Sequence, residues 1–401
     1  LPVRHRAHLR LDWLSGSAVA VGAAALLIYG IWIGALLASG HDARDFIDIG
    51  RNFVTKAHTS PVITYDASYR YPANPTGYDG QFAYYIGLDP VHARDYLDWP
   101  AYRYGRILQP ALAGGLSLAN PTLLPYTLLL VGWLAIGLSS GALAAWLKRK
   151  RISPWLALLY AFYAGTFIAL HFDLTEALAF SLVIGGIYVF DFGPPRYRVP
   201  LSAAFFALAC LARETSAIFV VVFAASLLLR GSSSGSRRPA IGETSAFLGI
   251  SLVPLLAWHG LLQVWLGNPG TLPTPVVQPI PFLALIRAWP WHVITLEEIV
   301  VVVAPALLCG WLALRAIRAG TFDRYLALLL IQALVFVVFV DPFAFPDLTA
   351  ASRYTIGIVI AALCSIPAID QATGAQRGWL FASGTAWILL TPFYMLKALF
   401  G

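Results

Sequence analysis

The chain has 401 residues, 59% of them hydrophobic and only 12% charged, with a mean hydropathy of +0.71. A soluble domain carries about 25% charged residues, so an ordinary water-soluble enzyme is excluded. The net charge of +7 is scattered in short clusters with no nucleic-acid motif, and nucleic acid is not expected as a partner.

The first element follows a basic segment, Arg4, Arg6 and Arg10, and no Asp, Glu, Lys or Arg occurs in 15–40. Uncharged runs of ~18 residues or more are membrane-span candidates, because ~20 helical residues cross the hydrocarbon core. The first span, 17–39, is too long for the apolar core of a signal peptide and is expected to be retained. Ten-residue alternation of the kind found in barrel strands is absent, so the class is all-α, a polytopic transmembrane helix bundle. Further candidate spans are 106–118, 121–147, 154–170, 174–192, 199–212, 215–229, 244–267, 299–317, 325–341, 354–369 and 379–398, about twelve in all. Cys210, Cys309 and Cys364 fall in apolar segments without metal-ligand spacing and read as buried free thiols.

Orientation follows from Lys and Arg. The N-terminal arginines, Lys148–Arg151, Arg196/Arg198, Arg230/Arg237/Arg238, Arg315/Arg318/Arg324 and Arg377 are assigned to the cytoplasm. That side then holds 16 basic and 5 acidic residues, a net of +11, against −4 for the remainder. Between Arg106 and Lys148 the chain has room for one full span plus a partial one, or for two spans; two would put the cluster at 148 outside. The chain is thus expected in the cytoplasmic membrane, with a large first extracytoplasmic loop, 40–105, carrying juxtamembrane helices. A second outer loop, 268–298, is rich in Pro and Trp, and the serine-rich 231–236 reads as a cytoplasmic linker.

Acids gather on the outer side. Asp42, Asp45 and Asp48 follow the first span, and Asp42 and Asp45 would share a helix face. Gly77-Tyr78-Asp79-Gly80 reads as a tight turn presenting Asp79. Tyr102-Arg103-Tyr104-Gly105-Arg106 stands at the mouth of the next apolar run. Asp173 and Glu176, Arg213 and Glu214, Glu297 and Glu298, Asp341, Asp347, and Arg353 with Tyr354 mark the outer ends of later spans. Arg213-Glu214 lies within an otherwise uncharged stretch, where a charge costs roughly 2.5–3.5 kcal/mol and normally lines a cavity or pairs. His171 and His259 have no His partner at ligand spacing and read as structural. Asp42 with Asp45 also fits a solvated face beside the membrane, Asp79 a plain turn residue, and Arg213-Glu214 a structural ion pair.

Such a set suits transfer of a sugar from a lipid phosphate. Guanidinium forks match phosphate oxygens, and a carboxylate base activates a hydroxyl acceptor. Tyr78, Tyr84, Tyr85, Trp289 and Trp291 are candidates to line a sugar site, and an acid pair is a candidate holder of a divalent cation. The chain resembles the GT-C superfamily of polytopic glycosyltransferases, which use polyprenyl-phosphate sugars and include the protein O-mannosyltransferases and lipid A aminoarabinose transferases. That group has an acidic motif opening its first large loop. Here Asp42, Phe46 and Gly50-Arg51 take its positions, and Ala43 stands where a Glu is expected, leaving Asp45 or Asp79 as substitutes.

The resemblance implies further matches at Arg106-Ile107-Leu108-Gln109-Pro110, Asp173, Arg213 and Arg353-Tyr354, and covers the N-terminal half best. It implies a glycosyltransferase, inverting or retaining; inversion with Asp42 as base is favoured, because a single displacement needs one carboxylate and a departing lipid phosphate. Arg103, Arg106, Asp173, Glu176, Arg213, Glu214, Arg353 and Tyr354 would then surround a lipid-linked sugar donor. The acceptor is left open among lipid, glycan and protein. A lipid or glycan flippase or transporter is the alternative, weakened by the absence of an internal repeat.

Overall fold

The computed structural model describes residues 16–57, 74–233, 237–271, 277–290, 292–342, 348–373 and 378–400. These residues are helical apart from turns and two isolated bridges, Ile49–Gly77 and Val277–Val340. In chain order the helices are α1 (Gly16–Ala38), α2 (Arg51–Ala57), α3 (Gly80–Leu88), α4 (Pro100–Tyr104), α5 (Leu108–Ser117), α6 (Leu124–Arg149), α7 (Leu158–Ala161), α8 (Ala164–His171), α9 (Thr175–Phe192) and α10 (Arg198–Ala212). There follow α11 (Ala217–Ser233), α12 (Arg237–Leu266), α13 (Leu283–Arg287), α14 (Val293–Glu298), α15 (Ala304–Arg318), α16 (Arg324–Ala333), α17 (Leu348–Tyr354), α18 (Ile356–Thr373), α19 (Gly378–Ile388) and α20 (Thr391–Phe400).

The expectation of about twelve spans is not confirmed. Among the described residues six helices are long and apolar enough to cross a membrane, or eight when two bent pairs each count as one. Three more apolar helices, Arg198–Ala212, Glu214–Leu229 and Arg324–Val338, are shorter. The expected span at 106–118 is the ten-residue α5. At ~1.5 Å per residue it covers about half of a ~30 Å hydrocarbon core. Hydropathy detects apolar sequence but not where a helix stops, and here it stops at Leu118 and Ala119, both in the left-handed region. The protein is an integral membrane protein with one full span between the first loop and Lys148. Cys210, Cys309 and Cys364 are free and buried.

Helices α1 and α6 pack through small residues. A Cβ on Gly22 would lie 2.9 Å from the Gly137 carbonyl oxygen and 3.4 Å from the Gly141 Cα. Gly137 and Gly141 are four residues apart, the spacing that lets backbones approach closely in membranes. Ala18 lies against Gly141, Gly22 against Gly137, and Gly30 against Trp133, so the helices run antiparallel. Trp133 Nε1 also donates to the Leu26 carbonyl at 2.9 Å. The end of α6 carrying Lys148 therefore lies beside the start of α1. At that same end Asp191 accepts hydrogen bonds from Trp146 (2.9 Å) and Tyr325 (2.7 Å) and pairs with Arg324 at 3.3 Å. Basic clusters distant in sequence thus meet at one end of the bundle.

Two spans are broken. Pro154–Ala161 and Ala164–His171 meet at 53°, and Leu348–Tyr354 and Ile356–Ala372 at 43°. The breaks touch: Tyr163 Oη and Thr355 Oγ1, one from each bend, share a hydrogen bond of 2.6 Å. A Cβ on Gly165 would lie 2.2 Å from the Ser352 carbonyl oxygen, so α17 rests directly on α8.

Replacing Gly22 by Leu should cost about 1–3 kcal/mol through overpacking against α6, read as a lower melting temperature in detergent, with Gly34→Leu unaffected because open space surrounds that position. Single cysteines at Ser39 and Lys150, both exposed, should label with an impermeant maleimide from opposite faces of sealed vesicles. Labelling from one face would contradict a single crossing by α6.

Candidate functional site

The site is built where the segment after α1 is stitched to the Gly77–Gly80 turn. Tyr78 N donates to the Asp48 carbonyl at 2.9 Å. Gly50 N donates to Gln81 Oε1 at 3.0 Å, and Gln81 Nε2 returns a bond to the Thr76 carbonyl at 2.8 Å. Gly77 has φ +62°, and a Cβ there would lie 2.3 Å from the Asp48 carbonyl oxygen. Gly80 sits so close to the chain at Phe172 that a Cβ would lie 2.1 Å from its carbonyl oxygen. Both glycines are therefore required, one by its dihedral and one by contact.

Asp79 occupies the N-cap position of α3 without capping it. Its carboxylate instead receives Arg103 Nη1 at 2.9 Å and Arg353 Nη1 at 2.5 Å. Burial raises this carboxyl, but Arg353, Arg103 and Arg106 outweigh it and hold Asp79 well below the usual carboxylate range. Arg103 also forks onto Asp98, at 2.8 and 2.7 Å, and lies 3.9 Å over the Phe82 ring. Arg353 stands 5.2 Å over Tyr78 and 5.4 Å over Tyr354. Arg106 forks onto Glu214 at 3.2 and 2.9 Å and donates to the Tyr102 hydroxyl. Glu176 lies 2.7 Å from Arg213 Nη1 and 3.7 Å from Arg353 Nε, and Arg213 faces Tyr354 at 5.1 Å.

Several buried polar atoms here make no directed hydrogen bond: both terminal nitrogens of Arg213, Arg353 Nε, Glu176 Oε1 and both carboxylate oxygens of Asp173. Such atoms cost about 1–3 kcal/mol each and normally have a stated use. Asp173 is the extreme case. It is 2% exposed, its φ is +50°, and burial raises its carboxyl well above the carboxylate range. Only its backbone is tied down, the carbonyl accepting from Gln109 Nε2 at 3.0 Å. A cavity of about 30 Å³ is bounded by Asp79, Phe82, Arg103, Arg106, Asp173 and Glu176, among others, room for a water or two.

Most residues expected at one site therefore do meet: Asp79, Arg103, Arg106, Asp173, Glu176, Arg213, Glu214, Arg353 and Tyr354. Asp42 and Asp45 are occupied locally. Asp42 caps the turn Ala43–Phe46, accepting from Arg44 N, and its carboxylate takes the Arg44 fork at 2.9 Å. Asp45 Oδ2 completes a capping box by accepting from Asp42 N at 2.9 Å. Elsewhere, Glu297 accepts from Tyr394 at 3.1 Å and Asp341 from Gln278 at 2.5 Å. Trp291 and Asp347 lie outside the described residues. Among the described residues no group of three His, Cys, Asp or Glu is placed to hold a metal ion. Asp98 was not foreseen. Its signal was its position just before the Pro100 helix start, one turn from Arg103. Compared with known proteins, the chain matches no protein-family model and no curated protein.

Replacing Asp79 by Asn should lower stability at neutral pH by about 2 kcal/mol, the scale of charge-assisted hydrogen bonds. Because the folded Asp79 pKa is depressed, its stabilisation is present above the unfolded value of ~3.9 and is lost as pH falls through the folded one. Melting curves of wild type and Asp79→Asn should thus stay apart from pH 8 down to about 5 and converge only in acid.

Proposed function

We propose that the protein is a membrane glycosyltransferase that moves a sugar from a polyprenyl-phosphate donor to a hydroxyl acceptor on the extracytoplasmic side. The observation that carries this reading is one pocket that Arg103 and Arg106 line together with a buried carboxylate, Asp173, whose oxygens make no hydrogen bond, while Arg213 and Arg353 are joined to the same pocket through Glu176 and Asp79. Arg213 and Arg353 are ion-paired with Glu176 yet keep N–H groups without a hydrogen bond, and guanidinium N–H groups suit phosphate oxygens. The order of motifs along the first half of the chain, with its likeness to the GT-C enzymes, supports the same chemistry.

The base in this reading is Asp173 rather than Asp42. Asp42 is held by its own turn and by Arg44, and Asp79 is a weak base between two arginines. A carboxyl raised by burial is the stronger proton acceptor. In a single displacement the acceptor oxygen bonds to the anomeric carbon as the bond from that carbon to the phosphate oxygen breaks. The polyprenyl phosphate departs with the electron pair toward the arginines, the acceptor proton passes to Asp173, and the configuration inverts.

The test is release of polyprenyl phosphate by purified protein in nanodiscs, across a panel of polyprenyl-phosphate sugars. Asp173→Asn should lower kcat by about 10²–10⁴-fold, with donor binding retained. Asp42→Asn should keep most of the activity, since Asn also caps. Wild-type kcat/KM should climb with pH through an ionisation above the ordinary carboxylate range. No release from any donor by folded wild type would overturn the reading, and loss of activity in Asp42→Asn but not Asp173→Asn would return the base to Asp42.

A further inference from the structure

A second cavity, of about 490 Å³, opens beside the arginine cluster, between the first loop and the C-terminal end of α12. Its lining includes Arg94, Asp95, Trp99, Tyr102, Asn268 and Thr271. Both long loops build it. Asn268 Oδ1 accepts from Gly270 N at 2.8 Å and Thr271 N at 3.0 Å, folding the second loop into a turn. Gly270 places that turn against the first loop, where a Cβ would lie 3.1 Å from the Ala101 carbonyl oxygen. Trp258 Nε1 fastens α12 to the same helix by donating to the Tyr104 carbonyl at 2.7 Å.

The cavity is joined to the cluster by one side chain. Tyr102 lines the cavity, while its hydroxyl accepts from Arg106 and its ring lies 4.4 Å beneath the Arg106 guanidinium. Arg106 in turn lines the smaller pocket with Asp173. A molecule in the larger cavity is therefore separated from the carboxylate's pocket by two side chains, Tyr102 and Arg106.

The lining chemistry is mixed in a particular way. Trp99 is 51% exposed on a rim that also carries a carboxylate, an amide, a guanidinium and a hydroxyl. A flat indole surface beside donors and acceptors matches a ligand with one face of C–H groups and an edge of hydroxyls. The volume falls in the range that small-ligand pockets occupy, ~300–1,000 Å³.

We infer that this cavity binds a neutral glycan, its sugar ring stacked on Trp99 and its hydroxyls held by Asp95, Asn268 and Arg94, and that this glycan is the acceptor. The role as acceptor rests on the glycosyl-transfer reading; the binding itself does not.

Saturation-transfer NMR on protein in nanodiscs free of sugar detergent tests it, with maltose, lactose, chitobiose and α-1,6-mannobiose as probes. At least one disaccharide should bind wild type. Trp99→Ala should weaken that binding tenfold or more, and Asp95→Asn should weaken it to a lesser degree. Trp99 and Asp95 are surface-exposed, so neither variant threatens the fold. If no probe binds wild type, or if Trp99→Ala binds equally well, the glycan site is wrong and Trp99 is a membrane-interface anchor. Donor release is scored separately. Glycan binding without release from any donor would keep this site and remove the transferase reading, whereas release without glycan binding would do the reverse.

Discussion

Asp79 accepts from two guanidinium groups drawn from distant parts of the chain, Arg103 in the first loop and Arg353 on α17. Arginine at a membrane protein's interior boundary must find an anion, because leaving it unpaired costs several kcal/mol. One carboxylate satisfies both. The first loop can therefore close onto the helix ends in one arrangement, with Tyr78 and Phe82 beneath the two guanidinium faces. Gly77 and Gly80 bring the carboxylate there by removing side chains that would hold the turn away from Asp48 and Phe172.

The remaining charges extend that pairing without exhausting it. Glu214 takes Arg106 and Glu176 takes Arg213, both across separate helices. Four paired carboxylates, with Asp98 the fourth, balance four arginines, and Asp173 stands outside the balance. A network closed on itself would be a structural clasp. A buried acid whose oxygens make no hydrogen bond to the protein stands outside such a clasp, and it underlies the chemistry proposed for the cluster.

The helical class was legible in the sequence, because hydrocarbon imposes helices. The number of crossings was not legible. Residues 106–118 are as apolar as a span, and only left-handed turns at Leu118 and Ala119 show that the helix ends halfway. Most of the site was legible too, because charges in apolar surroundings advertise themselves, as Arg213-Glu214 and Asp173 do. The surroundings of Asp42 were less legible: an acid followed three residues later by another acid is also a capping signature, and the local backbone bonds both carboxylates. Asp98 was missed for a different reason: its signal was only its place just before the Pro100 helix start, five residues from Arg103, in a polar loop where acids are common.

The hydrogen bond between Tyr163 and Thr355 ties the bend of one span to the bend of the other. Beyond the first bend the chain runs through α8 to Asp173; before the second lies α17 with Arg353. The arginine and the acid thus take their places from one buried joint, set in the bends of two helix pairs and lying in neither pocket.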